Sequence, residues 1–423
     1  MTVLQPGVRR REVWAWAMFD FANSGYTTVV VTAIFNAYFV SVVAGGAVWG
    51  TFAWTAALSV SYALILVTAP FVGAHADLFG KKTLLLATTA GCVLATAALA
   101  LAGPGALVLA LVLLVVSNFC FGSGENIVAA FLPELAREEA LGRVSGWGWG
   151  LGYLGGLVSL GACLGIIGWV QGQGQGMGAA EFVPLCLLAT AALFAVASAP
   201  TFVLLRERGG SATPQEGAWR RVRATLRRLG DYPDMRRFML CIVFYQAGIQ
   251  AVIALAAIYA EQAMGFETRE TIRLIFVVNI AAALGALGFG HAQDRIGHVR
   301  ALALTLAGWI VMVLLAWGAE GRAMFWAAAA IAGLCLGASQ SGGRALVGLL
   351  APADRRGEFF GLWGLAVKLS AILGPLTYGA VSWLTAGDHR LAILVTGGYF
   401  VVGLALLGGV DAERGRRAAG ADF

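Results

Sequence analysis

Four ionisable side chains stand inside long apolar runs of the chain: Asp20, Glu125, Arg344 and Lys368. Charges in such surroundings are costly, and they are kept where they pair, carry protons or meet a charged solute. Polar neighbours repeat around them at helical spacing. Asp20, Asn23, Ser24 and Thr27 share one helix face, as do Asn118, Gly122 and Glu125, with Asn126 beside them. Gln246 and Gln250 are one turn apart, and so are Gln340 and Arg344. These ten residues (Asp20, Asn23, Asn118, Glu125, Asn126, Gln246, Gln250, Gln340, Arg344 and Lys368) are the candidate path for a small solute and for protons. For Asn118 and Gln250, a hydrogen bond between helices is an equal reading. Asp20 and Glu125 lie nearer one end of their runs, so each is either a gate charge or a substrate ligand. Lys368 sits about 18 Å into its run at roughly 1.5 Å per residue, near the middle of a bilayer. Its ammonium must find a carboxylate, release its proton or bind an anionic substrate group. Asp20 and Glu125 are the acids well inside apolar runs, and both belong to the first half of the chain. Pairing with Lys368 therefore predicts a contact between halves.

Other chemistries find no support. The sequence has no HExxH, P-loop or GxSxG motif, and no clustered His/Cys ligand set. The expectation is no enzyme, no cofactor and no metal, and no primary ATP-driven pump. Cys92, Cys120, Cys163, Cys186, Cys241 and Cys335 lie in apolar runs without a CxxC pair, which suits buried small hydrophobes. His75, His291, His298 and His389 fall at loop ends and read as solvated.

The elements that must position these residues follow from composition. Of 423 residues, 59% are hydrophobic and 12% charged. That is about half the charge of a soluble protein. A spanning helix takes about 20 apolar residues, so twelve need roughly 240, close to the hydrophobic total. Apolar runs fall at 13–43, 48–74, 82–103, 105–131, 144–169, 181–205, 236–262, 270–292, 299–318, 322–349, 356–385 and 388–410. The predicted fold is an all-α membrane protein of twelve transmembrane helices. The runs are continuous rather than alternating, which excludes a membrane β-barrel. No cleavable signal peptide is expected: the apolar run after Arg9, Arg10 and Arg11 is too long.

Twelve spans put both termini on one side. With that side cytoplasmic, 24 of the 29 Lys and Arg lie there and four on the other, leaving Lys368 in the membrane. The positive-inside rule then sets the orientation, and the net charge of +6 is no sign of nucleic-acid binding. The long polar interruption at 206–235 divides the chain into bundles at 1–205 and 236–423. Within it, Trp219, Val222, Leu226 and Leu229 form one stripe among arginines. This predicts an amphipathic helix on the anionic leaflet of the lipid bilayer, or a partner-binding helix. On span 5, Gly148, Gly152 and Gly156 form a small-residue face expected to meet span 8 at Ala281 and Gly285. Arginine outnumbers lysine 26 to 3 and no N-x-[ST] sequon occurs, which favours a bacterial inner (plasma) membrane.

An internal repeat connects these halves. Gly73, Asp77 and Gly80, followed by Lys81 and Lys82, recur as Gly290, Asp294 and Gly297, with Arg295 and Arg300 close by. The offset is 217 residues (294 minus 77). Each copy lies in the second short loop of its half, which marks a six-helix unit used twice. The glycines permit a tight turn and close helix approach. The aspartate can cap a helix or pair with a cation, so both loops are candidate gates. The basic residues are expected to hold the loops against anionic lipid.

The doubled G-x-x-x-D-x-x-G pattern resembles the signature of the major facilitator superfamily. The stretches Trp16–Gly25, Phe131–Ala136, Arg143–Gly156 and Glu358–Lys368 resemble its autophagy-related vacuolar-effluxer branch, whose bacterial members are often termed "unknown major facilitator" proteins. The likeness runs from span 1 to span 12. It implies two six-helix bundles in the major facilitator fold, alternating access, and a central cavity lined by spans 1, 4, 7 and 10. It also implies secondary transport by a monomer, with proton-coupled efflux of small polar solutes such as amino acids. A multidrug or lipid exporter of the same fold is an alternative, and a non-transporting receptor or scaffold is another. Members of the branch often carry an acid early in span 7; this chain has Tyr245 and Gln246 there.

Overall fold

The computed structural model describes residues 3–420, apart from 48, 173–177, 209–228, 261–263, 267 and 387. Twelve helices among the described residues are long and apolar enough to cross a membrane. In chain order they are α1 (Arg10–Tyr26), whose span runs on to Val43, α2 (Gly50–Phe79), α3 (Lys81–Ala98), α4 (Leu107–Ala129), α5 (Leu141–Gln171), α6 (Ala179–Leu204), α7 (Pro233–Ile258), α8 (Thr268–Ile296), α9 (His298–Trp317), α10 (Arg322–Leu350), α11 (Arg356–Leu384) and α12 (His389–Leu407). A short α13 (Ala412–Gly420) follows. The apolar runs therefore predict every span to within a few residues. The amphipathic helix expected in the middle segment falls mostly outside the described residues.

The first span is not a plain α-helix. Beyond Tyr26 it widens into π turns at Thr27–Ala33 and again at Phe39–Val43. Residues 27–32 are β-branched throughout, a type with lowered helix propensity. Wide turns of this kind recur at functional sites.

Both termini lie at one end. Leu4 bridges to Ala136 in the connection between α4 and α5, and Arg416 of α13 pairs with Glu138 of that connection at 3.2 Å. This is the terminal end of the molecule. Buried apolar side chains form two large clusters. One comes from α1 to α6 with Ala345 added, the other from α7 to α12 with Ala129 and Ala130 added. Tyr26 stacks on Phe121 at 5.1 Å and its hydroxyl meets Ser117 at 2.8 Å, tying α1 to α4. Trp309 stacks on Phe400 at 5.0 Å, tying α9 to α12.

The halves meet along α5 with α8 and along α2 with α11. Small residues set the distance there. A Cβ added to Gly290 would lie 2.9 Å from the Gly142 carbonyl, and one on Gly361 would lie 2.5 Å from that of Ala69. The face expected to meet α8 is corrected. Gly148, Gly152 and Gly156 face Asp20, Ser24 and Thr28 of the first span, and Gly148 also meets Arg344. The face of α5 that meets α8 is Gly142, Gly146 and Gly150. Likewise Gly285 lies against Leu334 of α10. A stripe of glycines on both faces of one helix does not reveal which face turns to which neighbour. His298 is also corrected: it is buried, with its ring 3.4 Å from Gln293.

Two glycines of α5 test this packing. Gly155 abuts the backbone of Phe21, with an added Cβ 2.8 Å from Phe21 Cα, whereas Gly161 faces open space. Gly155→Val should destabilise the purified protein by roughly 1–3 kcal/mol through overpacking and lower its melting temperature. Gly161→Val should melt like the wild type, and equal melting of the two variants would contradict the α1–α5 contact.

Candidate functional site

From the terminal end to the middle of the membrane, three polar layers join the halves. The outermost is built from the repeated loops. The carboxylate of Asp77 accepts the N–H groups of Gly357 (3.0 Å) and Glu358 (3.2 Å), in the first turn of α11. That of Asp294 accepts those of Gly142 (2.9 Å) and Arg143 (3.1 Å), in the first turn of α5. Each aspartate thus caps a helix of the opposite half. A helix start has N–H groups without helical partners and a partial positive charge, so each cap contributes about 0.5–2 kcal/mol. Gly80 and Gly297 turn the chain just after the two aspartates with φ of +104° and +91°, values that disfavour side chains. Gly73 and Gly290 bring the backbones into contact with Gly357 and with Gly142.

The basic residues of the two loops differ. Lys81 is buried, 2.7 Å from Glu134 and 3.4 Å from Asp77, and does not face lipid as expected. Lys82 donates to the Leu205 carbonyl at 2.8 Å. Arg295 and Arg300 are exposed at the terminal end. The cation next to Asp294 is Arg143 of α5, at 3.4 Å.

The second layer centres on Arg344 of α10, which is 2% exposed. Its guanidinium donates to Asp20 (2.7 Å), to the Ser145 hydroxyl (3.1 Å) and to the Ser145 carbonyl (2.9 Å). The rings of Trp16 and Trp149 lie 4.7 and 5.3 Å from its central carbon. Gly148 leaves the room this needs: an added Cβ would lie 2.5 Å from the guanidinium. Ser145 also donates to the Ser341 carbonyl at 2.8 Å. A buried pair of this kind is close to neutral for stability while intact. Removing one partner costs roughly 3–5 kcal/mol, because the other is left charged and unpaired.

The third layer is looser. Lys368 of α11 lies 3.5 Å from Glu125 of α4, whose side chain is 24% exposed. Its ammonium is 5.6 Å from the ring of Tyr62 and 5.7 Å from that of Phe121. Gln246 donates to Gln340 at 2.8 Å, linking α7 and α10. Asn118 donates to Ser61 at 2.9 Å, a bond between helices of the first half. Gln250 is half-buried, one turn beyond Gln246. Buried polar atoms without a hydrogen bond remain at Asn23 Oδ1, Asn126 Nδ2, Gln246 Oε1, Trp149 Nε1 and Trp363 Nε1. Such atoms call for water or a solute.

The contact between halves expected of Lys368 is present, with Glu125 as its partner and Asp20 given to Arg344 instead. Sequence reasoning missed Ser145, Trp16, Trp149, Tyr62 and Glu134 as members of the layers. Glu134 had one signal: Lys81, beside a span, needs a counter-charge.

A family model described as "Vacuole effluxer Atg22 like" matches residues 139–420, and one for the Major Facilitator Superfamily matches residues 3–160. A Bacillus subtilis (strain 168) protein described as an uncharacterized MFS-type transporter is 25% identical over 407 residues, 94% of each chain. Autophagy-related protein 22 of Cryptococcus neoformans var. neoformans serotype D (strain B-3501A) is 26% identical over 227 residues, 49% of this chain and 41% of that protein. Among solved structures, the E. coli fucose:proton symporter superposes with a TM-score of 0.71 at 15% identity, covering 95% of this chain and 97% of that one.

The two caps should control opening of the terminal end. Spin labels on cysteines at the exposed positions Arg137 and Arg300, in a cysteine-free background, report its width. Asp77→Ala should shift the distance distribution to longer values. Asp294→Ala should do so less, because its cation Arg143 is partly exposed whereas Lys81 and Glu134 are buried. Unchanged distances in both variants would reduce the loops to ordinary turns.

Proposed function

The chain belongs to the vacuole effluxer Atg22-like family of major facilitator transporters, and on that premise we propose a secondary active transporter that couples proton movement to efflux of small polar solutes such as amino acids. The observation that carries this reading is the pair of intramembrane ion pairs, Asp20–Arg344 and Glu125–Lys368, each made between opposite halves. Alternating access moves residues 1–205 against 236–423, with 206–235 as the linker. Opening of the terminal end separates both pairs. A charge bared inside a membrane needs a new partner, so opening is favourable only when a proton or a substrate group replaces the lost one. Occupancy is thereby coupled to rocking.

The site suits a zwitterion. Its two acids and two bases balance, and a solute carboxylate can take Lys368 while its ammonium takes Glu125. The unsatisfied atoms of Asn23, Asn126 and Gln246 offer further hydrogen bonds. Proton coupling draws support from the same carboxylates and from the fold shared with a fucose:proton symporter. Efflux follows the family description. The basic residues gathered at the terminal end support a cytoplasmic location for both termini in a bacterial inner membrane, with the protein working as a monomer.

Reconstituted flux under imposed pH gradients tests the mechanism. Lys368→Gln should reduce transport to background while the protein still reaches the membrane, and Lys368→Arg should retain little, since a planar fork does not replace a point charge. Asp20→Asn should impair proton-driven flux more than exchange. Near-normal flux by Lys368→Gln would leave the lysine a structural charge. Orientation is tested separately: an impermeant thiol reagent added to intact cells should label a cysteine at Ala386 and spare one at Arg300, and the reverse pattern would invert the topology.

A further inference from the structure

A cavity of about 260 Å³ lies at the terminal end, next to the outermost of the three layers. Its walls come from both halves. Pro133 and Leu141 belong to the first, Gly348 and Arg356 to the second, and Gln5 and Arg416 bring in the two terminal segments. Each segment is fixed in place. Gln5 donates to the carbonyls of Pro133 (3.4 Å) and Ala136 (3.1 Å). The helix α13 is held to α7 by Arg414 and Asp234 at 2.7 Å and reaches across to Glu138 through Arg416.

Arg356 is the unexplained group in this cavity. It is half-buried, and its Nε is buried without a hydrogen bond. The charges of three acids, Glu134, Asp77 and Glu138, act on it, but each is already engaged. Glu134 holds Lys81 at 2.7 Å, Asp77 caps α11, and Glu138 holds Arg416. Arg356 lines the cavity, as does Arg416, and a planar guanidinium in such a place matches a carboxylate or phosphate. The Arg416–Glu138 pair is more than half exposed on both sides, so its rearrangement toward an incoming anion costs little.

We infer that this cavity is a binding site for a small anion bearing a phosphate or carboxylate group, held by Arg356 and Arg416. Gly348 touches Pro133 across the cavity, with an added Cβ 3.1 Å from Pro133 Cγ. Opening the terminal end pulls these walls apart and dismantles the site. The anion therefore binds the closed state and stabilises it, and by linkage it slows any step that opens this end. The inference does not depend on what the central path carries.

The test uses the full chain in phosphatidylcholine nanodiscs, with spin labels at Arg137 and Arg300. Inorganic phosphate is titrated against potassium chloride of equal ionic strength. Phosphate should raise the melting temperature and shift the distances further toward the closed population, with chloride inert. Arg356→Gln should weaken the phosphate response roughly 10- to 100-fold, the loss of a charge-assisted hydrogen bond. Ala353→Glu, at an exposed lining position, places a carboxylate in the cavity and should abolish the response without relying on the fold of the first variant. A second arm replaces phosphatidylcholine by phosphatidylglycerol without added phosphate. A shift there that needs Arg356, with none from free phosphate, assigns the same anion chemistry to a lipid headgroup. No shift in either arm, or equal shifts in wild type and both variants, would overturn the site.

Discussion

An ionised side chain inside a membrane must meet its counter-charge, and in this protein it does so across the interface between the halves. Arg344 finds Asp20, and Lys368 finds Glu125. Neither half is electrically complete at this depth alone. The charges therefore connect two bundles whose apolar cores are otherwise separate, and any movement that parts the bundles must re-solvate or re-pair them. The two pairs differ in grip. Arg344 is held by three hydrogen bonds and two indole rings, whereas Lys368 has one long contact to a partly exposed carboxylate and two more distant rings. The inner pair suits exchange with a solute, and the deeper-held pair suits a gate.

Small residues make these contacts possible. Lipid gives no hydrophobic drive between helices, so helices associate by close packing. Glycines at 73, 142, 146, 290, 357 and 361 let backbones touch at the terminal end, which brings Asp77 and Asp294 within reach of helix starts in the opposite half. The two copies of the repeat have diverged around this shared cap. Four residues after Asp77 stands Lys81, buried with Glu134; four after Asp294 stands His298, buried beside Gln293. One lock is a buried network of Asp77, Lys81 and Glu134, and the other pairs Asp294 with a partly exposed Arg143.

Much of this was legible in the sequence because it depends on chemistry that does not need packing. Apolar runs of spanning length give the twelve helices. The recurrence of Gly, Asp and Gly at matched spacing marks the two loops. Lys368 at mid-depth demands a carboxylate, and the acids available to it lie in the other half. What could not be read depends on how each helix is rotated about its axis. Choosing between Asp20 and Glu125 for Lys368, or between the two glycine faces of α5, requires knowing which neighbour each face meets. Glu134 and His298 look like loop residues in sequence but are buried because the terminal segments and the opposite half close over them. Arg344 read as a pathway residue from its spacing to Gln340, yet its surroundings of Ser145, Trp16 and Trp149 came from helices distant in the chain.

The central claim is that an ion pair made between halves holds the terminal end closed. A double-mutant cycle on the population of that state tests it most directly. Labels across the terminal end would be read in the wild type, in Asp20→Asn, in Arg344→Gln and in the double variant. If the pair acts as a unit, each single change opens the end, and the double variant opens it no further than the single ones, a strong departure from additivity. Additive effects of the two substitutions would contradict the account, because the two charges would then act independently and not through each other.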